Sequence, residues 1–401
     1  ALAQNNGNKL VSDNFDFAKR QMVHMLENIP QGEAKMPHSI NGKGNTSCRS
    51  IYWWTSGFFP GILWYINEYT GDKTFESFAK KWTEKLEPVK TFKGNHDIGF
   101  MMYCSFGNAY RLTQNEKYKD ILIQSAYSLA TRFNPQVGTI KSWDSWRSWE
   151  NKHVFKYPVI IDNMMNLELL FWASKATGDP SFRNIAISHA EKTMKYQIRK
   201  DGSSYHLACY DPETGNFIKG ETSQGYSNES TWSRGQGWGI YGFTLCYRET
   251  KDPRFLKTAQ RMADYYINHP NLPSDKIPWW DFDTHRPGFI PGKFSKTNKY
   301  IQNYRDASAA SVTASALLEL SSYVKDDKKK IYTETALQIL TSLSSPEYRA
   351  EEGKNGNFIL KHSTGAIPHG SEVDVPLIYA DYYFLEALLR YNRMINNKPI
   401  L

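Results

Sequence analysis

Two aspartates, Asp97 and Asp162, are the side chains that the sequence places best to do chemistry. Asp97 follows Asn95-His96 and opens one apolar stretch; Asp162 follows the apolar run Pro158-Val159-Ile160-Ile161 and opens another. An acid after four apolar residues is expected to be buried. Burial raises a carboxyl pKa, and a general acid working near neutral pH needs that. Two carboxyls held in different environments form the usual acid and base pair at a glycosidic bond. Capping competes with this reading, because an Asp at a helix start accepts backbone N–H bonds and is favoured by the helix dipole. Capping accounts for either aspartate alone. It does not account for His96, Arg234, Trp54 and Trp238, which stand at equivalent places along the chain. Arg305-Asp306 and Glu372-Val373-Asp374 open two further stretches of the same kind.

Long segments precede several of these points, and loops of such length in a compact domain are usually functional. Residues 139–157 carry Trp143, Trp146, Arg147 and Trp149; residues 202–232 carry Tyr205, His206, Gln224 and Tyr226; residues 278–291 carry Trp279, Trp280, Asp281, Asp283 and His285. Trp beside Arg suits a sugar ring bearing a carboxylate, the ring stacking and the guanidinium pairing. His206 or Trp143 taken singly reads as structural. Gly237-Trp238-Gly239-Ile240-Tyr241-Gly242 fits a dinucleotide fingerprint but lies inside a helical stretch with no strand before it, so that reading fails. Asp281-Phe282-Asp283 resembles a metal-binding pair without further ligands. The reading is acid/base chemistry with no cofactor and no metal.

The elements that must position these residues are marked by a repeated turn. Thr70-Gly71-Asp72 to Phe75, Thr113-Gln114-Asn115 to Tyr118, Thr177-Gly178-Asp179 to Phe182 and Thr250-Lys251-Asp252 to Phe255 share one pattern. Gly71 and Gly178 suit a helix C-cap, the Asp or Asn caps the next helix, and Pro180 and Pro253 take its first position. Lys325-Asp326-Asp327 is a looser copy, with Ile331 in the aromatic's place. The helix before each turn (98–112, 164–176, 237–247, 312–323) is apolar on most sides; the one after it (75–86, 182–196) is amphipathic. The first kind is buried and the second lies outside. Residues 376–390 have inner character and 15–26 outer character, which completes six pairs. The expectation is one all-α domain over 1–401, an (α/α)6 barrel, with a short flexible segment at about 1–10. An open helical array is the rival. In a closed barrel the inner helices run parallel, so the unusual residues share one mouth.

Composition narrows the partners. The 401 residues carry a formal net charge of +8, with 12 Trp and 25 Tyr. A basic balance attracts anions, but there is no arginine-rich arm and no zinc-finger spacing, so nucleic acid is not expected. Cys48, Cys104, Cys209 and Cys246 are scattered, which argues against a disulfide framework or zinc site. No apolar run approaches the roughly 20 residues that span a bilayer. The start Ala1-Leu2-Ala3 reads as a mature end after export to the periplasm, with a cytoplasmic location as the alternative.

At these residues the chain resembles the unsaturated glucuronyl hydrolases of glycoside hydrolase family eighty-eight. The most telling segments are His96-Asp97 to Phe100, Ile161-Asp162 to Leu167, Ser233-Arg234 to Trp238 and Trp280 to Asp283; the likeness runs from Trp54 to Tyr383. It implies the (α/α)6 barrel that the repeats predict separately. It also implies hydration of the vinyl ether in a 4,5-unsaturated uronic acid at the non-reducing end of an anionic oligosaccharide. By the resemblance Asp162 is the general acid and base, and Asp97 a second carboxylate. His96, His206, Gln224, Arg234 and Trp238 belong to the set holding the unsaturated uronate. Trp54 and Trp143 are aromatic walls, with Trp146 as a substitute for Trp143. Lys361-His362-Ser363-Thr364 lies where relatives contact a second sugar or a sulfate, with Ser363 the contact residue. The rival readings are an unsaturated rhamnogalacturonyl hydrolase acting on pectin fragments, a conventional inverting glycosidase, and a non-catalytic oligosaccharide-binding barrel.

Overall fold

The computed structural model describes all 401 residues. Its α-helical segments are α1 (Leu2–Asn28), α2 (Phe58–Thr70), α3 (Lys73–Glu84), α4 (Ile98–Met102), α5 (Asn108–Thr113), α6 (Glu116–Ala130), α7 (Leu167–Thr177), α8 (Pro180–Tyr196), α9 (Ser233–Thr250), α10 (Pro253–Asn268), α11 (Ala307–Ser321), α12 (Asp326–Leu343) and α13 (Ile378–Ile395). A π-helical turn, Tyr103–Gly107, joins α4 to α5. These three segments form one inner arm, so the chain builds twelve arms. The fold is an (α/α)6 barrel. The inner ring is α2, α4–α5, α7, α9, α11 and α13, and it closes where α13 packs on α2.

The repeated turns are built as their residues dictate. Asp72, Asn115, Asp179 and Asp252 each accept the N–H two residues on. Gly71, Gln114, Gly178 and Lys251 take the left-handed conformation that ends the preceding helix. The fifth copy departs from the pattern. Lys325 stands at its N-cap with no side-chain bond, and Tyr332, not Ile331, fills the buried aromatic place. The first ten residues, expected to be flexible, begin α1 instead. Gly7 is buried where a Cβ would meet Tyr391 and Ile395, and Gln4 Nε2 donates to the Ile395 carbonyl at 3.0 Å. Closure of the ring, which brings α13 beside α1, orders this end.

Short strands lie in the loops over the mouth. Pro158–Ile160, Leu207–Tyr210 and Phe217–Glu221 form an antiparallel sheet, and Lys35–Ile40 pairs with Thr46–Ser50. The strand Pro158–Ile160 explains the apolar run before Asp162: it is buried along its length and hands the chain directly to the turn Ile161–Met165. No helix is long and apolar enough to cross a membrane.

Candidate active site

The two aspartates face one cleft because two inner arms touch at their starts. Asn166, at the head of α7, accepts the Phe100 N–H on its Oδ1 at 2.8 Å. That contact requires Gly99, where a Cβ would lie 2.6 Å from Asn166 Cβ and 2.7 Å from its Cα. Asn163 Nδ2 donates to the Ile140 carbonyl, and Ser142 Oγ accepts the Ile160 N–H. The Ser142 carbonyl in turn accepts the His96 N–H. The segment carrying Trp143 is thereby tied to both aspartate turns.

Neither aspartate is a cap. Asp97 stands at the N-cap of α4 without a side-chain cap bond. Asp162 lies inside a 3-10 turn, and its Oδ1 has no hydrogen-bond partner. Asp306 shows the contrast: it accepts the Ser308 N–H and so caps α11. Both Asp97 and Asp162 line a cleft of about 450 Å³, whose walls include Trp54, Trp143, Trp146 and Gln224. A volume of this order suits a small-molecule ligand. Trp54 is set by packing, its ring 4.8 Å from Tyr379 and 5.5 Å from Phe100.

Five of the expected contact residues stand behind the cleft wall: His96, His206, Arg234, Trp238 and Ser363 are all buried. His96 Nε2 lies 3.1 Å from Asp97 Oδ1, and His206 Nε2 lies 3.4 Å from Asp162 Oδ1. The N–H groups of Ser223 and Gln224 both donate to His206 Nδ1, at 3.0 and 3.2 Å. That leaves the ring proton on Nε2, facing Asp162. Burial lowers the His206 pKa, with Asp162 acting in the opposite direction, so the ring is a neutral donor.

Arg234 is committed to the protein. It pairs with Asp306 at 3.0 Å, donates to the carbonyls of Thr364 and Gly365 at 2.7 and 2.9 Å, and lies over Trp232 and Tyr379. Gln224 Nε2 donates to the same Gly365 carbonyl. Arg234 therefore shapes the wall that Gln224 completes. Trp238 sits edge-on against Phe100 and Tyr383. Ser363, expected to reach a second sugar, is instead fully buried and its backbone pairs with Val375. That bridge turns its side chain away from solvent.

The cleft also holds residues that sequence patterns did not mark. Arg49, Tyr52, Ser223, His369 and Ser371 line it. Arg49 lies on the short strand Thr46–Ser50 and the others on loops and turns with no helical period, so only the Pro368-His369-Gly370 turn offers a local signal. Ser223 Oγ lies 2.9 Å from His369 Nε2. Glu372 reaches the cleft while bonded to His38 Nε2 at 2.6 Å. Burial opposes its ionisation, yet the His38 bond and the charges of His38, Arg234 and Arg49 hold its pKa below the ordinary value. Asp281 and Asp283 are spent on groups of the protein itself, backbone N–H groups among them. Asp281 accepts from Tyr226 N–H and Ser230 Oγ, and Asp283 accepts the Thr231 N–H. They latch the loop whose Ser223 and Gln224 orient His206.

The sequence profile of Glycosyl Hydrolase Family 88 matches residues 28–247. An unsaturated glucuronyl hydrolase from Formosa agariphila is 46% identical over 85% of this chain and 80% of its own length. The chain belongs to glycoside hydrolase family 88. Like its family, it is a glycosidase. Among solved structures, an unsaturated glucuronyl hydrolase specific for heparin superposes with a TM-score of 0.88 at 44% identity, covering 97% of this chain and 98% of that one. A UGL variant with dGlcA-Glc-Rha-Glc superposes with a TM-score of 0.83 at 31% identity, covering 97% of each. In this family 88 chain, Asp97 and Asp162 line an aromatic cleft at the barrel mouth that the inner helix starts define.

Proposed function

We propose that this chain releases the 4,5-unsaturated uronic acid from the non-reducing end of glycosaminoglycan oligosaccharides left by polysaccharide lyases. One observation carries the reading: Asp162 lines the cleft with its buried Oδ1 turned 3.4 Å from Nε2 of His206, a neutral ring whose Nδ1 already accepts two N–H groups, so that Nε2 can only donate towards it. A carboxyl in that setting can deliver a proton and take one back. Asp162 protonates C4 of the C4=C5 double bond, and water adds at C5, with its proton passing to Asp162. The C5 hemiketal opens to a ketone, which leaves a hemiacetal at C1 that expels the next sugar as an alcohol. One water is consumed. Asp97, with His96 beside it, is the second carboxylate that places water and double bond. The tryptophans give the sugar ring a flat wall.

The relatives support this substrate class through the unsaturated glucuronyl hydrolase at 46% identity and the heparin-specific structure at 44%. Loss of the double bond's absorbance on lyase disaccharides from heparin, chondroitin and pectin tests it. Turnover should appear on glycosaminoglycan products. Asp162→Asn should lose about 10²- to 10⁴-fold in kcat with binding retained. Preference for the pectin products would move the substrate to the rhamnogalacturonan class. Cleavage of a saturated glucuronide at a comparable rate would sink the hydration step. The chain is placed in the periplasm, with the cytoplasm as the alternative; cell fractionation decides between them.

A further inference from the structure

Between Asp283 and Asp306 the chain carries five basic residues, Arg286, Lys293, Lys296, Lys299 and Arg305, and no acid. This stretch borders the cleft. The Phe294 N–H donates to the Trp149 carbonyl at 2.9 Å, and the Lys296 N–H donates to the Pro368 carbonyl at 2.8 Å. The Lys296 side chain crosses Gly370, next to the cleft residue His369. Phe294 is exposed, with the Lys152 Nζ 4.4 Å and the Lys293 Nζ 5.0 Å from its ring centroid. Nearby carboxylates are already engaged: Glu150 with Lys219, Asp283 with Arg286, and Asp144 with Arg132. Lys152, Lys293 and Lys296 make neither an ion pair nor a side-chain hydrogen bond, and all three are exposed.

An exposed ring with two ammonium groups over it that have no carboxylate partner fits an acidic sugar, whose anionic group draws the ammonium groups off the ring and leaves its face for the sugar to stack on. We propose that Phe294, flanked by Lys152 and Lys293 and joined to the cleft rim through Lys296, is an outer subsite for a further acidic sugar of a chain longer than a disaccharide. It rests on the substrate class proposed above and adds a length preference to it. The occupant follows from charge complementarity and from continuity with the cleft. Exposed ion pairs are screened by salt, so the preference is a low-salt effect.

The test compares unsaturated disaccharide and tetrasaccharide from a heparin lyase digest. The wild type should show the lower KM for the tetrasaccharide. Lys152→Gln/Lys293→Gln should raise that KM by about three- to tenfold and leave the disaccharide KM unchanged. Phe294→Ala should act in the same direction, and about 0.5 M salt should erase the difference. Equal kinetics on the two lengths, or variants that shift both equally, would overturn the subsite while leaving the activity standing. If the wild type turns over neither, the activity reading fails instead. Calorimetric binding of the tetrasaccharide to Asp162→Asn, with and without the lysine changes, then decides the subsite: a three- to tenfold loss supports it and no loss overturns it.

Discussion

Gly99→Ala is expected to damage catalysis without touching any group in the cleft. The added methyl would lie 2.6 Å from Asn166 Cβ and 2.7 Å from its Cα, so part of the clash is with backbone and no rotamer change relieves it. Overpacking of this kind costs about 1–3 kcal/mol. The Phe100 N–H to Asn166 Oδ1 bond is buried, and losing it adds about 1 kcal/mol. The sum is about 2–4 kcal/mol, read as a shift in the urea unfolding midpoint. The strain forces α4 away from the head of α7, which separates Asp97 from Asp162. A displacement on the order of 1 Å costs about 10²-fold in rate. Loss of double-bond absorbance on an unsaturated disaccharide measures it. Asn166→Ala removes that bond and the Asn166 Nδ2 to Asn163 Oδ1 bond without the clash, and should cost about 1–3 kcal/mol with a smaller loss of kcat. If Gly99→Ala keeps kcat within about twofold and stability within about 0.5 kcal/mol, the contact does not set the distance between the two arms.

Asp306→Ala leaves the Arg234 guanidinium buried without its carboxylate and removes the cap of α11. A loss of about 3–5 kcal/mol in denaturant unfolding is expected, with a raised KM because Thr364 and Gly365 lose their anchor. Trp143→Ala should raise KM and leave the unfolding midpoint in place, since Trp143 lines the cleft; Trp238→Ala, fully buried, should cost about 3–5 kcal/mol. Asp381 accepts the N–H groups of Ile359 and Leu360, and burial pushes its pKa up to about 8. Its folded value lies above its unfolded one, so its stabilisation is complete below about pH 4 and is lost as pH rises towards 8. Unfolding midpoints between pH 5 and 8 should fall with pH in the wild type and flatten in Asp381→Asn.

The helix order was legible in the sequence because it is local. Asp72, Asn115, Asp179 and Asp252 bond within two residues of themselves, so their pattern declares each turn before any tertiary contact forms. Inner and outer helices were legible too, since burial on all sides leaves no polar stripe. The segment 1–10 was not, because its order comes from α13, more than 380 residues away.

At the site, residue pattern alone marked Asp97 and Asp162 as acids at helix starts, and the family resemblance gave them their roles. In composition and position they match Asp306, a true cap. What separates them is the direction each side chain takes once Gly99 meets Asn166 and the sheet delivers Ile161, and that is a three-dimensional fact. The same holds for Arg234 and Ser363. Their types suit ligand contact, but the loop 363–375 folds over them and leaves Glu372 and His369 in the cleft. Sequence by itself determined the barrel and which acids to suspect, because capping and amphipathicity act over a few residues. Tertiary structure decided which side chains face the cleft and which stand behind it, because that depends on how chains distant in sequence pack against one another.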